Sequence, residues 1–248
     1  DNTEVDNLTR DLSPIRYINY CNSVKGASNA TGCSMNSLIA SVGWTEDSRD
    51  DILFPKKGGL RRVNGEVSTP GLDIQMYKLT FQESVYKEIT NDLTFMVNGQ
   101  LGYANSYGGK EFPFFKNFYV GGVNSVRGYR LSSIGPVCLA GDTSCGTTTQ
   151  TRNMFLGGTK QLVGNIELFM PVPFLKNNNQ FRLSAFIDAG NVYEESESIR
   201  LSSLRYSAGL GVLWVSPFGP LKIVVAQPFN EKPTDRTEVF QFQMGQQF

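Results

Sequence analysis

The sequence predicts an all-β fold, a set of antiparallel strands belonging to a transmembrane β-barrel. Three observations predict it. Nine segments alternate apolar with small or polar residues at a period of two. Their connections alternate between short Pro/Gly turns and long polar loops, as the two ends of bacterial membrane barrels do. Although 40% of the residues are hydrophobic and only 19% charged, no continuous apolar run reaches the ~18 residues of a membrane-spanning helix. A closed barrel is the other structure that satisfies every backbone polar group in lipid. A soluble β-sandwich would share part of this alternation, and the asymmetry of the connections favours the barrel.

Residues 1–36 are unlike the rest and read as an extracellular loop segment. Ile15–Tyr20 fits a short strand or a helical turn, and Cys21 to Cys33 is loop. From residue 37 to 248 the strands follow in order. Leu38, Ala40, Val42 and Trp44 share one face, and a turn rich in Pro, Lys and Gly follows at 54–59. Val63, Gly65, Val67 and Thr69 lead to the Pro70-Gly71 break, then Tyr77, Leu79 and Phe81 alternate with polar neighbours. Leu93, Phe95, Val97, Leu101 and Tyr103 oppose Thr94, Asn98 and Gln100. After a long irregular stretch at about 106–154, Leu162, Ile166 and Leu168 oppose Asn165 and Glu167. Leu183, Ala185 and Ile187 oppose Arg182, Ser184 and Asp188. Tyr206 to Trp214, Leu221 to Val225, and Phe240 to Phe248 complete the set. Bacterial single-chain barrels have even strand numbers, so this odd set predicts further strands upstream. Residue 1 is Asp and no signal peptide is present, which predicts a processed or truncated chain.

Composition excludes several functions. The 23 basic and 23 acidic residues cancel, and no basic stripe suggests a nucleic-acid partner. His is absent, which removes Ser-His-Asp and Cys-His nucleophiles and every imidazole metal ligand. No cofactor is expected. The four cysteines form two local pairs, Cys21 with Cys33 and Cys138 with Cys145, each in a Gly/Ser/Asn/Thr-rich loop. Zinc competes as a reading, but neither pair has the close spacing of structural sites. Local disulfides in an oxidising compartment fit better, each stabilising by roughly 2–3 kcal/mol.

Loops as long as 106–154 are usually functional. This one contains Asn117-Phe118-Tyr119-Val120-Gly121-Gly122, followed shortly by Val126-Arg127-Gly128-Tyr129. Here the sequence resembles the barrel domain of the BamA family of outer-membrane protein assembly factors, which carries a Val-Arg-Gly-Phe/Tyr loop motif. Gly219-Pro220-Leu221 and Ala226-Gln227-Pro228-Phe229 resemble its penultimate strand, and Phe240-Gln241-Phe242-Gln243-Met244-Gly245 with Phe248 resembles its closing strand. The Arg-Gly tetrapeptide also occurs in related translocation barrels, whereas the ordered combination is more specific. Residues 1–36 carry little of the likeness.

The resemblance implies the C-terminal portion of a barrel of about sixteen strands, integral to the bacterial cell outer membrane. It implies a loop folded into the lumen, with Arg127 bound by Glu167 and Asp188. Alternation independently places both carboxylates on the polar face, and an Arg in a partly dehydrated lumen needs such partners. The plainer readings are an ordinary solvated turn for Arg127-Gly128 and unspecific lumen lining for Glu167 and Asp188. Phe240, Phe242, Met244 and Phe248 form a lipid-facing strip ending at the interface. By resemblance this strand flanks a lateral gate, where an exposed edge templates incoming strands. The implied function is folding and inserting β-barrel proteins without ATP. Its partners are unfolded outer-membrane proteins, the lipid bilayer, and lipoproteins bound by periplasmic domains that this sequence lacks. The alternative is a two-partner-secretion-type polypeptide translocation pore. An outer-membrane enzyme is a third class, which the Arg127 charge beside the only notable carboxylate pair disfavours.

Overall fold

The computed structural model describes residues 2–6, 8, 13–25, 32–139, 153–172, 180–217 and 219–245. The chain order is β1 (Asn2–Val5), α1 (Ile15–Lys25), β2 (Cys33–Asn36), β3 (Ile39–Asp47), β4 (Gly58–Ser68), β5 (Met76–Thr90), β6 (Leu93–Ser106), β7 (Val137–Cys138), β8 (Met154–Phe155), β9 (Lys160–Met170), β10 (Phe181–Tyr193), β11 (Arg205–Ser216), β12 (Gly219–Phe229) and β13 (Phe240–Met244). Nine of these strands form one antiparallel sheet in the order β13-β12-β11-β10-β9-β6-β5-β4-β3. They are the nine segments that the alternation marks. Among the described residues no ladder joins β3 to β13, so both are edges.

The sheet is turned inside out relative to a soluble one. On β10, Ile187 is 57% exposed while Asp188 is 0% exposed, and on β13 Phe242 is 53% exposed while Gln241 is 3%. Leu79, Val97, Leu101, Ile166, Leu210 and Val225 continue the exposed apolar face, and Asn98, Asn165, Glu167, Ser184 and Ser207 the buried polar one. Exposed apolar area on this scale is the mark of a lipid or protein contact surface. Among the described residues no helix is long and apolar enough to cross a membrane.

Connections at one end are short. Thr90 and Leu93 pair across the two-residue turn Asn91-Asp92, and Ser216 pairs with Gly219. The β3–β4 connection is shaped by side chains: Asp51 accepts from the Leu53 and Phe54 amides at 2.7 Å, and Asp50 from the Lys56 and Lys57 amides. Such Asx contacts replace backbone partners in a turn. At the other end β6 pairs directly with β9, although residues 107–159 intervene.

That excursion packs on the buried face. Phe112, Phe118, Val120, Val126, Tyr129 and Ile134 cluster with Ile74, Met76, Val163 and Val192 of the sheet region. Among the described residues of the N-terminal segment, β1 pairs with β2, and Ile15–Lys25 is a helix. Its Ile18, Tyr20 and Cys21 join the same cluster, and Tyr17 stacks on Phe114 with ring centroids 3.9 Å apart. The Cys21–Cys33 disulfide ties α1 to β2. Cys138 is also disulfide-bonded, while Cys145 lies outside the described residues.

Candidate functional site: an arginine loop against the polar wall

The site is built where the excursion crosses the polar face of β9 and β10. Asp188 and Glu167 both point inward because they occupy the inward-facing phase of adjacent antiparallel strands, with Phe186 opposite Glu167 and Asp188 opposite Asn165. Arg127 meets both carboxylates. Its Nε and Nη2 donate to Asp188 Oδ2 and Oδ1, each at 2.7 Å, and Nη1 donates to Glu167 Oε2 at 2.9 Å. The Arg127 backbone N–H donates to Asp188 Oδ2 at 3.0 Å. The fork geometry of the guanidinium suits this bidentate grip. All three side chains are at most 5% exposed.

A second ring of contacts fixes the carboxylates. Asn165 Nδ2 donates to Asp188 Oδ1 at 2.8 Å and to the Ser125 carbonyl at 2.7 Å. Asn98 on β6 donates to Asn165, and Ser84 on β5 donates to Asn98. The guanidinium carbon lies 3.4 Å from the centroid of the Phe186 ring, a cation–π contact in a dry environment. Gly209 on β11 leaves room for that ring, since a Cβ there would lie 2.7 Å from Phe186 Cζ. Burial opposes the Arg127 charge, but the hydrogen bonds to Asp188 and the charges of Glu167 and Asp188 outweigh it and raise its pKa. Lys222 on β12 completes the cluster: it touches the Val123 carbonyl at 3.4 Å. Among the described residues the ion pairs to Glu167 and Asp188 come from Arg127.

Gly128 has φ +84°, and a Cβ at that position would sit 3.1 Å from Ala226 Cβ. The positive φ favours glycine, and an added Cβ would also crowd Ala226. Its N–H donates to Gln241 Oε1 at 3.1 Å, and Gln241 Nε2 donates to the Tyr129 carbonyl at 2.7 Å. Tyr129 Oη donates to the Phe229 carbonyl at 2.8 Å, and burial pushes its phenol pKa up. Val126 is fully buried. The loop therefore touches the wall through Arg127 and the terminal strand through Gly128 and Tyr129.

The Omp85 superfamily domain matches residues 3–248. The chain belongs to the Omp85 superfamily. It is 33% identical to the outer membrane protein assembly factor BamA of Neisseria meningitidis serogroup B over 97% of this chain and 32% of that protein. It is 29% identical to the human sorting and assembly machinery component 50 homolog, over 83% of this chain and 44% of that one. The crystal structure of Haemophilus ducreyi BamA lacking POTRA domains 1-3 superposes with a TM-score of 0.84 at 26% identity, covering 97% of this chain and 48% of that chain. The chain thus spans about a third to a half of the relatives it matches. The nine-stranded sheet of this Omp85 chain is barrel wall, its buried polar face is lumen, and the protein is integral to the outer membrane.

Of the residues singled out in the sequence, the structure brings Arg127, Glu167 and Asp188 together and joins Gly128 and Tyr129 to β13. Phe240, Phe242 and Met244 line the outer face of this edge, Gly245 follows it with φ +84°, and Phe248 lies outside the described residues. Sequence reasoning missed Phe186, Asn165, Lys222 and Gln241 as partners of the loop. Only Phe186 carried a local signal: an aromatic at an inward-facing position of an alternating strand.

Proposed function

We propose that this chain forms part of the barrel of an outer-membrane protein assembly factor, which folds and inserts β-barrel proteins through a lateral gate bordered by β13. The reading rests most on one observation. The Arg127 loop is anchored to the lumen wall and simultaneously hydrogen-bonded to the terminal strand, within a chain similar to BamA over 97% of its length. A terminal strand with an unpaired edge offers backbone donors and acceptors to an incoming strand. Strand exchange of this kind makes and breaks hydrogen bonds only, so it needs neither ATP nor covalent chemistry. The partners are unfolded outer-membrane proteins and the bilayer, with lipoproteins bound by periplasmic domains of the longer protein.

Depletion of the full-length protein in its own bacterium tests the reading. Assembly predicts that many barrel proteins fall together in the outer membrane while their unfolded forms accumulate. Loss of a single exported polypeptide with normal barrel levels would instead establish a two-partner-secretion-type translocation pore. Insertion of a urea-unfolded barrel by the purified protein in liposomes, without nucleotide, tests the ATP independence.

A further inference from the structure

The terminal strand is poorly held by the sheet. β12 has 11 residues, yet among the described residues β13 pairs with it only from Leu221↔Met244 to Val225↔Phe240. Two further bonds flank the ladder, from the Ala226 N–H to the Val239 carbonyl at the loop-side end and from the Gly245 N–H to the Pro220 carbonyl at the other. The cause is in the sequence. N–H groups two residues apart on a strand point the same way, so residue 228 should donate next toward β13, and it is Pro228, which has no donor. The chain before Phe240 therefore leaves β12 and pairs with the loop. Arg130 N–H donates to the Arg236 carbonyl and Glu238 N–H to the Gly128 carbonyl, both at 2.8 Å, around an antiparallel bridge between Tyr129 and Thr237. Ser133 Oγ adds a bond to the Arg236 carbonyl at 3.0 Å.

A second buried ion pair positions this segment. Arg205, at the start of β11, donates from Nε and Nη2 to Asp235 Oδ2 and Oδ1 at 2.9 and 2.8 Å, and from Nη1 to Asn191 Oδ1 at 2.8 Å. The two side chains are 2% and 0% exposed. Asp235 also accepts from the Lys232 amide at 2.8 Å, closing the turn that precedes the crossing. A buried bidentate pair in a chain connection has no assigned part in the Arg127 site, and it sets the height at which residues 236–238 meet Gly128–Arg130.

We propose that Gly128–Arg130 and residues 235–239 form a clasp on the terminal strand, with Arg205 and Asp235 as its positioning pair, Gln241 as its catch and Arg127 as its anchor. Release of the loop from the wall then frees the loop-side end of β13, while the five-residue ladder and the Gly245 bond to Pro220 still hold the rest of the described strand. The gate role of β13 rests on the proposed function; the clasp itself does not.

Amide hydrogen exchange of the full-length protein in lipid nanodiscs tests it, with no substrate present. Arg127→Ala, Asp235→Asn and Gln241→Leu are each expected to speed exchange at residues 236–241 roughly tenfold or more, while residues 206–213 of β11 stay protected. The hydrogen bonds of Arg127 go to Asp188 and Glu167 rather than to 236–241, so its effect there reports coupling. Arg205→Lys keeps one charged donor and is expected to retain most of the protection. The clasp is overturned if Arg127→Ala loosens residues 122–130 but leaves 236–241 unchanged, or if all variants loosen β11 equally. Gln241→Leu removes no buried charge and decides the matter should Asp235→Asn fail to fold. Normal exchange with lost assembly would refute the clasp alone, and a working clasp without assembly would refute the proposed function alone.

Discussion

Asp188→Asn should release the Arg127 loop more completely than Glu167→Gln. Each change removes one negative charge from the buried partners of Arg127, so the change in charge is the same. The hydrogen bonds differ. Asp188 accepts from Arg127 Nε, Nη2 and backbone N–H, whereas Glu167 accepts only from Nη1. A bond to a charged group contributes about 1.5–3 kcal/mol, and breaking a buried ion pair by removing one partner costs about 3–5 kcal/mol. Asp188→Asn should therefore shift loop docking by roughly 3–5 kcal/mol, a factor of about a hundred to several thousand. Glu167→Gln should cost roughly 1.5–3 kcal/mol. Spin labels on Ser125 and on an outward residue of β10 such as Ile187 would report the docked and released populations by pulsed electron paramagnetic resonance. A broadened distance distribution in Asp188→Asn and a nearly native one in Glu167→Gln is expected. Equal distributions, or a larger effect at Glu167, would refute the assignment of Asp188 as the principal grip.

Three further outcomes follow from the same contacts. Lys222→Met in the Glu167→Gln background should recover about 1 kcal/mol of loop docking, because Lys222 and Arg127 repel and Glu167 no longer offsets that repulsion, and a thermal-melt double-mutant cycle with no coupling would contradict this. Gly128→Ala should weaken docking by about 1–3 kcal/mol through its positive φ and the contact with Ala226, read as protease cleavage within residues 122–130. Cys21→Ser should destabilise the unit of β1, α1 and β2 by about 3 kcal/mol, so that limited proteolysis cuts residues 13–36 while the barrel strands remain intact.

The strands were legible because lipid on one side and lumen on the other enforce strict alternation. Where that pressure lapses, the pattern fades. The second half of β5 carries Glu83 and Lys87 on the outer face, with Glu83 paired to Arg61, so the alternation marks only its first half. The run Ile15-Arg16-Tyr17-Ile18-Asn19-Tyr20 fits both strand and helix periods, and the helix is chosen by burial of Ile18 and Cys21 against the loop cluster. The carboxylates of the site were placed on the correct face by phase alone. Their meeting with Arg127 came from resemblance, because contacts 40 and 61 residues apart leave no local trace. Gln241, 113 residues from Gly128, looked like any inward-facing polar residue of a terminal strand. Pro228 differs: it lacks the N–H that would face β13, while its pairing with β11 continues through Phe229.

The central claim, that β13 borders a gate through which barrel proteins pass, is tested most directly by photo-crosslinking in living cells. A photoreactive amino acid at Phe242 or Met244, on the outer face of the edge, should capture unfolded barrel proteins during their assembly, while one at Leu79 in the middle of the sheet should capture none. Capture of substrate at Leu79 as readily as at Phe242, or no capture at Phe242 while barrel proteins continue to assemble, would contradict the account.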